Sequence, residues 1–124
     1  MTYDDVDTFT RGYIDCALWS STDESTPQGG EPFDRNYTAD DLAPEALAAV
    51  VDHCARFQAE QAIDLQDAGD AGRNGHDFWL TRNGHGAGFW DRGYGDVGDR
   101  LTAAAHAYGE SDLYLGDDGR IYVS

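Results

Sequence analysis

Between Pro44 and Ala68 the chain repeats apolar residues at helical spacing: Leu47, Val50, Val51, Cys54 and Phe57, continued through Gln61 to Ile63 or Leu65. A stripe of this length constrains the fold more than any other stretch, because the rest of the chain must supply apolar surface to cover it. Pro44 suits a first helical turn and Gly69 is a natural stop, so one helix is expected from about Pro44 to about Ala68. A short turn capped by Thr38 or Asp40 should precede it. A second amphipathic pattern places Val6, Phe9, Tyr13 and Ala17 on one face, with Ile14 and Leu18 one step round, and predicts a helix from about Asp4 to about Ser20. Asp4, Asp5 and Asp7 crowd its first turn, where the helix dipole favours negative charge. Gly12 in its middle costs about 1 kcal/mol against alanine, which signals something packed closely there. Trp19, at its end, is expected to be largely buried.

The remaining segments read as turns, hairpins and one short helix. "STDESTPQGGEPFDRNY" has no periodicity and predicts a long surface loop. In "GHDFWLTRNGHGAGFWDRG" the run HDFWLTR alternates like a strand, Asn83-Gly84 is a preferred two-residue hairpin turn, and HGAGFWD returns as the partner. Phe78, Leu80, Ala87 and Phe89 would then share one buried face, with Trp79 and Trp90 on the other. "RLTAAAHAYG" predicts a short helix, capped by Asp96 or Asp99 and closed by Gly109. "DLYLGDDGRIYVS" predicts a second hairpin turning at Asp117-Asp118-Gly119. The expected fold is a single α+β domain over residues 1–124, with about four antiparallel strands in two hairpins forming one sheet, packed against about three helices.

Charge narrows the partners. Acidic residues number 24 against 8 basic ones, all of them arginine, for a formal net charge of −16. Such a charge repels nucleic acid and anionic membranes and favours either life in high salt or a basic protein cleft that normally holds an anion. An acidic solubilising face is the plainer alternative. Asp40, Asp41, Glu45, Asp52, Glu60, Asp64, Asp67 and Asp70 line the second helix and its ends and are the candidate partner-binding carboxylates. Asp41, Glu45 and Asp52, with Glu60 and Asp64 to one side, are spaced by near-multiples of a turn and should share an aspect of that helix. Cys16 and Cys54 sit inside apolar helical patterns and read as core thiols of a reducing compartment, with a disulfide between the helices as the alternative. The acidic N-terminus does not start like a signal peptide, and no apolar run approaches the roughly 20 residues of a membrane span, so a cytoplasmic protein is expected.

Catalytic chemistry has weaker signals. His76 and His85, with Asp77 or Asp91, could approach one ion across a hairpin, but their spacing fits no zinc motif. Asp64, Asp67 and Asp70 recur every third residue, whereas a calcium loop uses every second. A hydrolase would use His76 or His85 as base with Asp77 or Asp91 orienting it, yet no nucleophile accompanies them. No catalytic residue, metal ligand or cofactor is assigned. The simpler reading has Arg82 and Arg92 paired with flanking aspartates in a core hairpin.

Three blocks, "CALWSSTD", "HDFWLTRNGHGAGFWDR" and "LYLGDDGRIY", resemble a family of small acidic proteins carried by bacteriophages, prophages and plasmids. The resemblance carries no established activity or catalytic residue; it implies a mobile-element setting, in which proteins of anti-CRISPR and anti-restriction type act by imitating the charge of DNA. The expected function is therefore a non-enzymatic inhibitor that binds a host nucleic-acid-binding defence complex, touching neither nucleic acid nor membrane, as a monomer or homodimer. Two alternatives stay open: an accessory module of phage or plasmid replication or regulation that binds a protein through the tryptophan-bearing hairpin, and a small hydrolase using His76 and His85.

Overall fold

The computed structural model describes residues 1–25 and 27–124. The first helix, α1 (Thr8–Ser20), starts later than the periodicity suggests. Asp7 takes the N-cap position and accepts a hydrogen bond from the Thr10 amide at 2.9 Å, while Tyr3–Asp5 forms a separate 3-10 turn. The expected long loop contains structure of its own: β1 (Thr22–Asp23) pairs antiparallel with β2 (Glu31–Pro32), and one helical turn, α2 (Phe33–Asn36), follows. Phe33 anchors that turn by burying its ring.

Thr38 caps the 3-10 turn Ala39–Asp41, as expected, and Pro44 opens α3 (Pro44–Glu60). The long helix breaks at Gln61, whose φ of −114° and ψ of 23° leave the helical region, so α4 (Ala62–Ala68) is a separate element. Gly69, at φ 93°, supplies the stop. The break lets α4 bury Leu65 while exposing Ile63.

The central block departs most from expectation. Residues Ala71–Arg82 form a helix, α5, capped by Asp70, which accepts from the Arg73 amide at 2.9 Å. Asn83-Gly84 ends that helix rather than turning a hairpin. The His85 amide donates to the Leu80 carbonyl at 3.0 Å and the Gly84 amide to that of Thr81 at 3.1 Å, with Gly84 at φ 69°. This paired closure is a Schellman motif, which needs the same left-handed glycine as a type I′ turn. Alternation failed as a guide because Asp77 to Arg82 are all buried, and a helix covered on every side has no polar face to reveal its period.

Beyond a 3-10 turn at Phe89–Asp91, α6 (Asp96–His106) follows Gly95 at the N-cap, with both Asp96 and Asp99 inside its first turn rather than capping it. The terminal hairpin forms as expected: β3 (Leu113–Leu115) pairs with β4 (Ile121–Val123) in the register Leu113↔Val123, Tyr114↔Tyr122, Leu115↔Ile121. The fold is thus α+β and mostly helical, with six helices among the described residues rather than about three. Its four strands do lie in two antiparallel hairpins, but these form two separate two-stranded sheets, and the first lies at 22–32 instead of 76–91.

One hydrophobic core joins these elements. Its centre is a stack of Phe57 (α3) on Phe78 (α5) at 4.1 Å and 14°, extended by Phe89 and edged by Tyr13, Phe9 and Tyr108. The most extensive helix pairing is α1 against α5. It depends on glycine: a Cβ on Gly12 would run into the Gly72 carbonyl, and one on Gly75 into that of Phe9. Phe78, Leu80 and Phe89 are buried as expected. Trp79 is buried too, its indole N–H donating to the Ser20 hydroxyl at 2.8 Å, whereas Trp90 and Trp19 are exposed, the latter by 59 %. Trp19 lies on the face of α1 turned away from the core, one position past buried Leu18.

Candidate functional site

The eight candidate carboxylates do follow α3, α4 and their ends, but they do not act alike. Asp41 precedes the helix and accepts from the Thr38 amide at 2.8 Å. Asp52 lies 3.7 Å from Arg56 one turn on. Glu60 accepts from the Tyr108 hydroxyl at 2.7 Å, Asp64 is held in a bidentate pair by Arg100 at 2.8 and 2.9 Å, and Asp70 caps α5. Asp40, Glu45 and Asp67 alone of the eight make no side-chain hydrogen bond or ion pair among the described residues, and all three are exposed. The expected single row is therefore shorter than the spacing suggested. Asp41 lies before α3, Asp64 lies beyond the Gln61 break, and Arg56 falls between Asp52 and Glu60 on the same stripe.

The N-terminal turn and α1 separate two grooves that sequence reasoning did not find. An acidic one of about 430 Å³ is lined by Asp4, Asp15, Asp34 and Asp40 together with Tyr3 and Tyr37. On the other side, a groove of about 530 Å³ between α1 and α5 is lined by Arg11, Arg73, Arg92 and His76. Tyr3 and Asp15 belong to both and are joined by hydrogen bonds of 2.9 and 3.0 Å from the phenol to the carboxylate. The contributing residues lie far apart in the sequence, so no local motif could have announced either groove.

The residues of the alternative hydrolase reading are not joined as that reading requires. Asp77 is fully buried and accepts two hydrogen bonds from Arg92, at 2.7 and 3.0 Å, so it orients an arginine and not a histidine. That pair was foreseen for Arg92. Asp91 accepts from the Gly88 amide at 3.0 Å. His76 stacks on Trp19 at 6.2 Å, and no hydrogen bond or ring contact joins it to His85 among the described residues. Cys16 and Cys54 are free and buried, and burial pushes both thiols up to about 12, leaving them protonated. No group of three or more His, Cys, Asp or Glu among the described residues is placed to hold a metal ion.

Arg82 was expected to pair with an aspartate and does not. Its guanidinium is buried and donates to the Gly109 carbonyl at 2.8 Å, the Tyr108 carbonyl at 3.1 Å, the Tyr13 hydroxyl at 3.1 Å and His53 Nδ1 at 3.0 Å. A guanidinium only donates, so His53 Nδ1 must accept and the ring must be neutral with its proton on Nε2. Burial, then the neighbouring Arg82 charge, holds His53 below its ordinary value of 6.5; burial does the same to His76. The unfolded chain therefore takes up these protons before the folded one does, and stability falls as pH drops below about 6.5. A His53→Gln variant, whose amide oxygen can still accept from Arg82, is expected to lose less stability between pH 7 and pH 5.5 than the parent, read from urea midpoints. Parallel curves for the two proteins would show that His53 is not responsible.

No helix among the described residues is long and apolar enough to cross a membrane. No protein-family model, curated protein or solved structure matches the chain.

Proposed function

We propose that the protein is a non-enzymatic inhibitor from a bacteriophage or other mobile element, which acts in the host cytoplasm by occupying a basic cleft of a nucleic-acid-binding defence complex. The observation that carries this is the imbalance between charge and internal pairing. The net charge is −16, yet ion pairs within 4.0 Å engage only Asp52, Asp64, Asp77 and Asp91 among the described residues. Unpaired surface carboxylates repel one another and cost stability, which is offset when arginines and lysines of a partner replace solvent around them. Asp40, Glu45 and Asp67, with Asp4 and Asp34 of the acidic groove, are the groups offered to that partner.

The tagged protein, used to capture partners from host lysate at low and high salt, should retain a nucleic-acid-binding complex only at low salt, because attraction between exposed charges is screened within about 8 Å at physiological ionic strength. Duplex DNA should compete for that complex without binding the protein itself. The triple change Asp40→Asn, Glu45→Gln and Asp67→Asn removes three charges without a side-chain hydrogen bond or ion pair among the described residues, so it should slow association about tenfold at low salt while costing no more than the roughly 1 kcal/mol that Glu45 contributes in the first turn of α3. Capture that is indifferent to salt, to DNA and to the triple change would rule the inhibitor out. A second reading is favoured by the exposed rings of Trp19 and Trp90, 59 % and 52 % accessible, which would suit an accessory protein-binding module of phage or plasmid replication or regulation. Loss of capture in a Trp19→Ala, Trp90→Ala variant, with the charge variant unaffected, would select it.

A further inference from the structure

We infer that the groove between α1 and α5 binds a mononucleotide, its phosphate monoester held by Arg11, Arg73 and Arg92 and its base laid on Trp19. This goes beyond the proposed inhibitor role and does not depend on it. In a chain without lysine, three of the eight basic residues meet in this one groove. The crossing itself creates the space. Gly12 and Gly72 bring the two backbones together at the floor, and the walls are the adjacent Arg11 and Arg73, with Thr8, Asp15 and His76 one turn away and Arg92 from beyond the 3-10 turn.

The three guanidiniums are not equivalent. Arg92 is fixed by its bidentate pair with buried Asp77, which positions it without freeing its full charge. Arg11 donates through Nη2 to the Asp4 carbonyl and lies over the Tyr3 ring at 5.7 Å, and its Nε is buried with no hydrogen-bond partner among the described residues. Arg73 has neither ion pair nor side-chain hydrogen bond among the described residues, although it stands beside the start of α5. Asp70 already caps that start, so recognition would come from side chains and not from the helix amides. Asp15 is the opposing carboxylate on the lining, and Tyr3 occupies it with a hydrogen bond. Arg92 is met by Asp77 and, at 4.0 Å, by Asp91, and Asp15 is occupied by Tyr3, so the phosphate monoester is recognised by the uncommitted guanidinium donors of Arg73 and Arg11 and not by a net positive groove. Beside it the exposed Trp19 ring lies nearly parallel to His76, at 29°, and offers its open face to an aromatic base.

The test titrates the full-length protein at low salt with adenosine 5′-monophosphate, ribose 5-phosphate and inorganic phosphate, following tryptophan fluorescence and the His76 ring signals by NMR. The nucleotide should bind saturably and about tenfold more tightly than inorganic phosphate, ribose 5-phosphate should resemble phosphate, and the bound dianion should raise the pH at which His76 titrates. Arg73→Gln should weaken nucleotide binding about tenfold with an unchanged melting temperature, Arg11→Gln should weaken it as much while also losing its bond to the Asp4 carbonyl, and Arg120→Gln, on the terminal hairpin, should leave it intact. No saturable binding into the millimolar range, equal affinity for nucleotide and inorganic phosphate, or binding that survives both Arg73→Gln and Arg11→Gln would each overturn the assignment.

Discussion

A Phe78→Ala variant is expected to lose about 3 to 5 kcal/mol of stability, enough to unfold most of the population of a domain of ordinary stability. Phe78 is fully buried at the point where α1, α3, α5 and the segment after α6 converge. It stacks on Phe57 at 4.1 Å, meets Tyr13 at 5.3 Å and Phe9 at 6.1 Å, and takes the edge of Tyr108 at 5.2 Å. Removing the ring loses its transfer free energy and leaves a cavity that these neighbours cannot fill, because α1 is already pressed backbone to backbone against α5 at Gly75 and cannot move inward. Urea unfolding followed by circular dichroism reads the effect. A cooperative transition within about 1 kcal/mol of the parent would place the core elsewhere.

Arg82→Met is expected to cost about 2 to 4 kcal/mol, although it swaps a charged side chain for an apolar one of similar length in a buried site. Replacing a buried ion pair by hydrophobic residues is often harmless, but Arg82 has no carboxylate partner. It bridges α5 to the carbonyls of Tyr108 and Gly109, to Tyr13 on α1 and to His53 on α3, and its guanidinium lies over the rings of Phe78 and Tyr108 at 5.7 and 5.8 Å. Methionine fills the space and leaves both carbonyls without a donor; they are only partly buried, which keeps the cost at the low end of about 1 to 3 kcal/mol for each. The same change removes the charge beside His53, so part of the pH dependence below pH 6.5 should vanish with it. A fully stable Arg82→Met protein with an unaltered pH profile would show that the network contributes nothing.

Local signals were legible wherever one face of an element meets water. The amphipathic pattern of α1 and the Leu113–Val123 hairpin are readable because polar and apolar positions alternate with the period of the element, and the Pro44 start of α3 and the Gly69 stop because proline and glycine fix the local backbone. The same rule explains the error at 76–91. Buried on every side from Asp77 to Arg82, α5 offers no period to count there, and Asn83-Gly84 supplies a left-handed glycine that serves a helix end as well as a hairpin. Trp19 was misplaced because a large aromatic suggests burial, whereas its position on α1 points it outward.

The sequence by itself determined the α+β class, the buried identities of Phe78, Leu80 and Phe89, the two protected core thiols and an acidity that no internal pairing could absorb. Composition and apolar character suffice for these, since they depend on what each residue is; the alternation expected at Phe78 and Leu80 was not the reason, because that segment is a helix in which Trp79 is buried as well. Only the tertiary structure decided that Arg82 would be held by carbonyls and His53, that five of the eight candidate carboxylates would be engaged within the protein, and that Arg11, Arg73 and Arg92 would share a groove. These outcomes follow from the approach of α1 to α5 at Gly12 and Gly75, a contact between backbones 60 residues or more apart, and nothing in the spacing of either segment alone encodes its partner.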